Sequence, residues 1–351
     1  MSDEIMNNTS PEEEKKYSPL RYAWGAFLAF FGISSATHTA SKKRKKLVGD
    51  IVCYIVLLIG AFTMVYPFWW MIAASFADTL NSSVKSVLNP LVWWPNHSTA
   101  SEGYADGLFR NYVVLFNEAF PDLSTGLSFW KVLLNNFVYS IVPVVVGVIT
   151  SASAAFSFAK IEWIGRNVVF FVLLAAIMVP GPAITTAQYS MYQMMGWISD
   201  GNYSWGDFSL VLIIPGLFGS IMTAFFIRQF LFGLPTSIIE AAKIDGAGYF
   251  RIFCGFILPL AMPAIMAQGL LSFMGCWNNY MGSYLFVPQQ SFAINLPHAL
   301  ARLDENGAGP YADDYAVVIA GSVVCVLPVM ILFACFQKTI INSLMLTGSK
   351  E

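Results

Sequence analysis

Apolar and polar residues alternate along this chain in long blocks, not at the spacing of an amphipathic helix or strand. Six apolar blocks contain almost no Asp, Glu, Lys or Arg, and about 20 such residues form a helix long enough to cross about 30 Å of hydrocarbon. The pattern predicts an all-α, polytopic membrane protein with six transmembrane helices, at about 47–76, 132–158, 167–195, 208–234, 260–287 and 315–337.

Composition supports this class, because 56% of the 351 residues are hydrophobic and only 11% are charged, against about 25% charged in soluble domains. The basic residues also indicate an orientation, since cytoplasmic loops of membrane proteins are enriched in Lys and Arg. With a cytoplasmic N-terminus, all of the 19 Lys and Arg residues lie on the cytoplasmic side except Lys85, Arg110, Lys131 and Arg302. We therefore expect both termini in the cytoplasm.

The first 46 residues are expected to form a cytoplasmic extension, and residues 47–349 the transmembrane domain. Within the extension, "YAWGAFLAFFGISS" at 22–35 is apolar but broken by Gly25 and Gly32, so it is too short to span with ease. The basic run "KKRKK" at 42–46 follows it. This arrangement favours a helix lying at the membrane interface over anionic headgroups.

The predicted loop between spans four and five, "EAAKIDGAGYFRIFCGFILP" at 240–259, is charged and broken by glycine. Ser237 with Glu240 three residues later fits a capping box that begins a short helix, and Gly246 fits a left-handed helix end. A second short helix is expected through "YFRIFCG", with Leu258-Pro259 at the start of span five. A short helix with alanines on one face suits a groove on another protein.

Glu240-Ala241-Ala242, then three residues, Gly246, and eleven further residues before Leu258-Pro259 resemble the EAA loop of ABC importer permeases. The chain resembles the second permease subunit in the carbohydrate-uptake branch, which imports maltose-type oligosaccharides with the help of a binding protein. The resemblance covers about 47–349 and includes "LLNNFVYSIV" at 133–142, "MVPGPAITTAQY" at 178–189 and "FFIRQFLFGLP" at 225–235.

The resemblance implies a non-catalytic subunit in a bacterial or archaeal cytoplasmic membrane. The expected partners are a second permease subunit, a cytoplasmic ATPase dimer that binds ATP and Mg²⁺, an extracytoplasmic solute-binding protein, the lipid bilayer and a sugar or oligosaccharide; no cofactor in this chain and no nucleic acid is expected. The implied ATPase-coupling residues are Glu240, Ala241, Ala242, Asp245, Gly246, Leu258 and Pro259.

Amide and aromatic side chains in the spans are candidates for a sugar path, because amides bind hydroxyl groups and rings pack against the C–H faces of a sugar. The candidates are Gln188, Tyr192, Trp277, Asn278, Asn279, Tyr280 and Ser283. The alternative for all of them is packing and hydrogen bonding between helices.

Other classes of function lack their usual residues. The three histidines and five cysteines show no metal-ligand spacing, and the chain has no Walker motif. A secondary, ion-coupled carrier normally needs ionisable residues within the membrane, and a membrane enzyme needs clustered catalytic groups. The remaining alternatives are a secondary transporter subunit and an ABC importer for a solute other than a sugar.

Overall fold

A computed structural model describes residues 41–76, 109–117, 120, 127–198, 208–288, 292–305 and 315–348. The interfacial helix predicted at 22–35 lies outside these residues. The described residues form helices and no strands, in the order α1 Ser41–Ser75, α2 Arg110–Asn117, α3 Phe129–Lys160, α4 Arg166–Ile177, α5 Gly181–Met194, α6 Leu210–Leu217, α7 Ile221–Phe232, α8 Ser237–Ile244, α9 Tyr249–Ile252, a π-helical turn Phe253–Ile257, α10 Leu258–Leu260, α11 Met262–Trp277, α12 Tyr280–Phe286, α13 Leu296–Glu305 and α14 Tyr315–Gly348.

Four stretches of helix are long and apolar enough to cross a membrane: Gly49–Ser75, Phe129–Lys160, Leu210–Phe232 and Tyr315–Gln337. Two further pairs of helices are long and apolar enough only if each bent pair is counted as one span. The number of candidate spans is then six. The all-α, polytopic class predicted from the sequence is confirmed.

The chain divides into two units, Met1–Trp69 and Trp70–Glu351, with the boundary inside α1. In the first unit, apolar side chains such as Leu58, Phe62 and Met64 are mostly exposed. Exposed apolar side chains along a helix of this length suit a hydrocarbon environment.

In the second unit, α3 passes through two separate apolar cores. Near its first turns, Phe129 and Val132 pack in a core with residues of α2, α13 and α14. Near its last turns, Ala155 and Phe156 pack in a second core with residues of α7, α8 and the π-helical turn. We call these the Phe129 end and the Lys160 end of the molecule.

Span three is not one helix, because α4 and α5 meet at 96°. The bend falls at Met178–Pro180, directly before Gly181 and Pro182. Prolines lack the N–H that would continue the α4 ladder, so the helix breaks completely here.

Span four is interrupted between α6 and α7, which the sequence analysis did not predict. Gly219 has a φ of +81°, and the backbone groups at the break are bound by α3: Thr150 Oγ1 donates to the Leu217 carbonyl over 3.0 Å, and the Ser220 N–H donates to Ser151 Oγ over 2.9 Å. A Cβ on Gly147 would collide with the Gly216 carbonyl, so α3 and α6 are in backbone contact here.

Span five was predicted as one helix from 260 to 287, and this is wrong in two places. The segment Tyr249–Leu260 meets α11 at 78°, so Pro259 ends a separate helical segment and does not lie in the first turn of the span. At the other end, Asn278 and Asn279 separate α11 from α12. The 16 residues of α11 are about 24 Å long at 1.5 Å per residue.

Candidate functional site

The charged loop between α7 and α11 lies at the Lys160 end. Helix α8 turns Ile239 and Ala242 into the core there, where they pack with Phe156 and Ala159 of α3. The opposite side of α8 presents Glu240, Ala241 and Lys243 to solvent. We call residues 233–261 the Gly246 loop.

Ala242 was expected, with Ala241, to form a surface for a partner. It is only 3% exposed, because its position on α8 points into the chain's own core. Ala242 therefore holds α8 against α3, and of the two alanines only Ala241 remains accessible.

The turn after α8 is closed by Gly246, which adopts the left-handed conformation with a φ of +77°. The Ala247 N–H donates to the Ala242 carbonyl over 2.9 Å and the Gly246 N–H donates to the Lys243 carbonyl. This is the hydrogen-bond pattern of a Schellman helix end, so the left-handed end predicted at Gly246 is confirmed.

The predicted capping box of Ser237 and Glu240 is wrong. Thr236 precedes α8 with helical dihedral angles and its side chain makes no capping bond; its carbonyl accepts the N–H groups of Ile239 and Glu240. Ser237 is already the first helical residue. Because Thr236 already has helical dihedral angles, the helix begins one residue earlier than the motif predicted.

The second half of the loop is a continuous helical path from α9 through the π-helical turn to α10. Ile252, Phe253 and Ile257 are buried in the Lys160-end core. Pro259 follows directly, and a wide π turn accommodates a proline that has no N–H and crowds the carbonyl four residues before it. Leu258 is half-buried and Pro259 is exposed.

Two large apolar side chains project from the loop into solvent. Ile244 is 86% exposed and Phe250 is 81% exposed, on either side of the turn at Gly246. The Lys243 ammonium lies 4.9 Å from the centre of the Tyr249 ring and links the two halves of the turn. A rigid turn with exposed apolar tips among charged residues has the composition of a protein-docking surface.

Several of the predicted sugar-path residues instead meet at the Phe129 end, around His298. Ser283 Oγ lies 3.0 Å from His298 Nδ1, and the Asn295 side chain donates to the Asn279 carbonyl over 2.8 Å. The Tyr280 and Tyr284 rings pack edge-on against His298. We call Tyr280, Ser283, Tyr284, Asn295 and His298 the His298 cluster.

Burial dominates the electrostatics of this cluster. It lowers the pKa of His298 from its ordinary value of 6.5 to about 4, and the nearby positive charge of Arg302 acts in the same direction. His298 is therefore neutral at pH 7. Its Nε2 atom is buried and has no hydrogen-bond partner in the part of the chain that the structure describes.

Trp277 and Tyr192 are packing residues. Trp277 is fully buried, its indole N–H donates to the Cys325 carbonyl over 2.8 Å, and its ring packs against Phe137 and Phe273. Tyr192 is buried and stacks on Trp197. The burial of these two and of Ser283 is what the packing alternative expects.

Asn278 is the candidate best placed to meet a solute. It is exposed and lines a cavity of about 360 Å³, together with α13 and α14 residues that include Ser322 and Cys325. Gln188 and Tyr280 are half-buried. Asn279 is exposed but caps α12, since its Oδ1 accepts the Gly282 N–H over 2.9 Å.

No group of three His, Cys, Asp or Glu residues within the described ranges could hold a metal ion. Two surfaces stand out: the Gly246 loop with its exposed apolar residues at one end, and a cavity lined by Asn278 and otherwise mostly apolar residues at the other. Comparison with known proteins places both in context.

Residues 29–344 match the sequence profile of a family described as "binding-protein-dependent transport system inner membrane component". The match covers most of the chain. The protein belongs to this family. It is thus a multi-pass transport permease of the inner membrane, and the secondary-transporter alternative is not supported.

Two relatives illustrate the range within this family. The chain is 29% identical over 290 residues to the arabinooligosaccharides transport system permease protein AraQ of Halalkalibacterium halodurans, covering 83% of this chain and 92% of that protein. It is 26% identical over 298 residues to the diacetylchitobiose uptake system permease protein NgcG of Streptomyces coelicolor, covering 83% and 86%.

A solved structure shares the fold. It is a chain of a bacterial ABC transporter involved in the import of the acidic polysaccharide alginate, with a TM-score of 0.66, 20% identity, and coverage of 87% of this permease and 99% of that chain. The fold predicted from the resemblance is confirmed.

Sequence reasoning missed Asn295, which organises the Phe129 end of the permease. Its Oδ1 accepts the His298 N–H over 3.2 Å, and its carbonyl accepts the Ala299 N–H. The signal was present as "NLPH", an Asn at the N-cap followed by a proline in the first helical turn.

Proposed function

We propose that this permease is one of two transmembrane subunits of an ATP-driven importer for a neutral oligosaccharide, and that its Gly246 loop docks on a cytoplasmic ATPase subunit. ATP and Mg²⁺ are bound by that ATPase, and an extracytoplasmic binding protein delivers the sugar. In this arrangement the Lys160 end and both termini face the cytoplasm.

The observation that carries the proposal is the exposure of Ile244 and Phe250, at 86% and 81%, on a loop whose other side holds Ile239, Ala242 and Ile252 in the core. The buried side fixes α8 to α3, so movement of the loop is transmitted to a membrane span. The exposed side offers Glu240, Ala241, Asp245 and Gly246 to a partner. Leu258 and Pro259 lie in the short helix that leads into α11, and they are not part of the exposed apolar surface formed by Ile244 and Phe250.

The docking assignment is tested with Ile244→Asp. A buried aspartate at an apolar interface costs several kcal/mol unless it is paired, so we expect loss of ATPase co-purification and of transport, with normal amounts of permease in the membrane. Ile164→Asp is the matched control, since Ile164 is a fully exposed isoleucine at the same end, in the α3–α4 turn. Normal coupling in Ile244→Asp, or equal loss in the control, would sink the assignment.

Glu240→Lys tests the polar part of the same surface. The side chain is exposed, so charge reversal leaves the fold intact and disturbs only what docks there. We expect ATP hydrolysis that no longer rises when loaded binding protein is added. Stimulation equal to that of the wild type would show that Glu240 makes no contact important for coupling.

A neutral sugar is proposed because the named relatives carry arabinooligosaccharides and diacetylchitobiose. The cavity beside Asn278 also offers an amide and a hydroxyl and no charged side chain. Asn278→Leu should lower uptake of labelled neutral oligosaccharide severalfold while ATPase co-purification is unchanged. Uptake equal to that of the wild type would remove the cavity from the sugar path.

A further inference from the structure

Three basic side chains lie at the Lys160 end, and one of them, Lys160, binds the first residues of the Gly246 loop at the Leu234 carbonyl. Lys160 ends α3, Arg166 begins α4, and Arg228 lies one turn before the end of α7. All three are half-buried. We call them the Arg228 patch.

Each side chain of the patch donates to a carbonyl at a helix end. Lys160 Nζ donates to Leu234 over 2.7 Å, Arg166 to Ile161 over 3.0 Å, and Arg228 Nε to Phe158 over 3.3 Å. These bonds hold the cations in place, since positive charge is favoured at helix C-termini. A lysine has three donors and an arginine five, so one bond each leaves most of the donors available.

No carboxylate among the described residues forms an ion pair with these three side chains, and Glu162, in the same turn, is exposed. The Arg166 guanidinium repels that of Arg228, because both are positively charged. The Arg228 guanidinium is fixed between two rings, 4.0 Å from the centre of Phe170 and 4.5 Å from that of Phe232. Like charges held close together in a half-buried site favour binding of an anion.

The surroundings of the patch indicate which kind of anion. Trp163 packs against Phe158 at the edge of the patch and is partly exposed, as tryptophans at a membrane interface are. From Arg166, α4 continues with exposed apolar side chains, including Val168, Phe171 and Val172. Fixed cations therefore lie directly beside an exposed apolar helix face.

We propose that the Arg228 patch binds the phosphate of an anionic phospholipid, whose acyl chains lie along α4. Basic pockets between transmembrane helices bind lipid headgroups in this way. A soluble phosphate would use the cations but not the apolar face. The inference requires that the chain is embedded in a membrane and does not depend on which solute it imports.

The test is lipid retention by the permease purified with its partner subunits. The complex is equilibrated with equal amounts of phosphatidylglycerol and phosphatidylcholine, and bound lipid is measured by native mass spectrometry. The wild type should retain phosphatidylglycerol preferentially, and Lys160→Gln/Arg166→Gln/Arg228→Gln should reduce the preference about tenfold or more. The matched control, Lys160→Arg/Arg166→Lys/Arg228→Lys, keeps the charge and should keep the preference.

Two further arms separate the alternatives. Millimolar inorganic phosphate should not displace the bound lipid, and displacement would mean that the patch is a site for free phosphate. Loss of the ATPase subunit from the triple Gln complex, with lipid retention unchanged, would mean a protein interface and would overturn the proposal. So would an unchanged lipid preference in the triple Gln complex.

If the triple variant does not fold, Arg166→Gln replaces it. The Arg166 guanidinium binds only the Ile161 carbonyl of its own turn in the described structure. The preference of this variant for phosphatidylglycerol should be roughly fivefold lower than that of the wild type, because one cation near the membrane surface contributes about that factor. Full preference in Arg166→Gln would contradict the proposal.

Discussion

The Gly246 loop and the His298 cluster occupy opposite ends of the permease and use polar residues in opposite ways. In the loop, the apolar residues Ile244 and Phe250 face outward and the hydrogen bonds that shape the turn are made by the backbone. In the cluster, side chains such as Ser283 and Asn295 are buried and bind one another or nearby backbone groups.

This difference separates surface available to a partner from polar groups that stabilise the fold. A buried polar group that is already hydrogen-bonded is expensive to remove and has little left to offer a ligand. Exposed apolar residues contribute little to the stability of the free chain, and they gain most when a partner covers them. The comparison can therefore be tested by substitutions that affect stability at one end and assembly at the other.

The largest expected effect on stability is at Trp277, which is fully buried at the Phe129 end. Trp277→Ala should lower the free energy of unfolding by about 3–5 kcal/mol, since it leaves a cavity and removes the hydrogen bond to Cys325. Detergent-solubilised complex would be unfolded thermally or with SDS.

Phe250→Ala is the matched aromatic truncation in the Gly246 loop. It should change the same free energy by no more than about 0.5 kcal/mol, because the ring is exposed. It should nevertheless weaken ATPase co-purification. Similar destabilisation at both positions would break the comparison.

The next effect is a loss of stability in acid that originates in the His298 cluster. The folded-state pKa of His298 is about 4, below the unfolded value near 6.5. Above pH 6.5 neither state binds a proton there, so the stability is fully present. As the pH falls from 6.5 to 4, the unfolded state alone gains the proton and roughly 3 kcal/mol is lost.

The measurement is the thermal midpoint of the complex at several pH values, in the wild type and in His298→Gln. The variant is expected to be less stable at pH 7 and to show a smaller decline between pH 6.5 and 4. An equal decline in both proteins would assign the acid sensitivity to other groups.

A third loss of stability, smaller than those expected at Trp277 and His298, is at the turn of the Gly246 loop. Gly246→Ala should destabilise the turn by about 1–2 kcal/mol, because an L-residue is strained at a φ of +77°, although nothing lies within 4 Å of the added Cβ. Amide hydrogen exchange of α8 would report the change as faster opening.

Gly248→Ala provides the control two residues away. Gly248 has a φ of −71° and also has open space around a Cβ, so alanine is allowed there. Exchange in α8 should match the wild type or slow slightly. Faster exchange in Gly248→Ala than in Gly246→Ala would show that the backbone conformation at 246 is not what holds the turn.

The parts of the fold that the sequence predicts are those set by local chemistry. Runs of apolar residues marked most membrane segments, and Gly246 marked a left-handed turn. Each depends on the residue itself and its immediate neighbours along the chain.

The remaining features depend on which neighbour each residue faces. Trp277 has the composition expected of a sugar-binding ring, and only the packing of Phe137 and Cys325 against it shows that it is internal. Ala242 matches a motif for partner contact, and the proximity of α3 turns it inward. The break between α6 and α7 is stabilised by hydroxyl groups of α3, which are about 70 residues away in the sequence.

That break is a point where span four can bend. At Gly219 and Ser220 the helical ladder is interrupted, and the exposed backbone groups are held by Thr150 and Ser151 of α3. Bending there strains no continuous helix, so span four is compliant at one point and rigid on both sides of it. A displacement of α7 is therefore passed to α3 through these hydrogen bonds as well as along span four to α6.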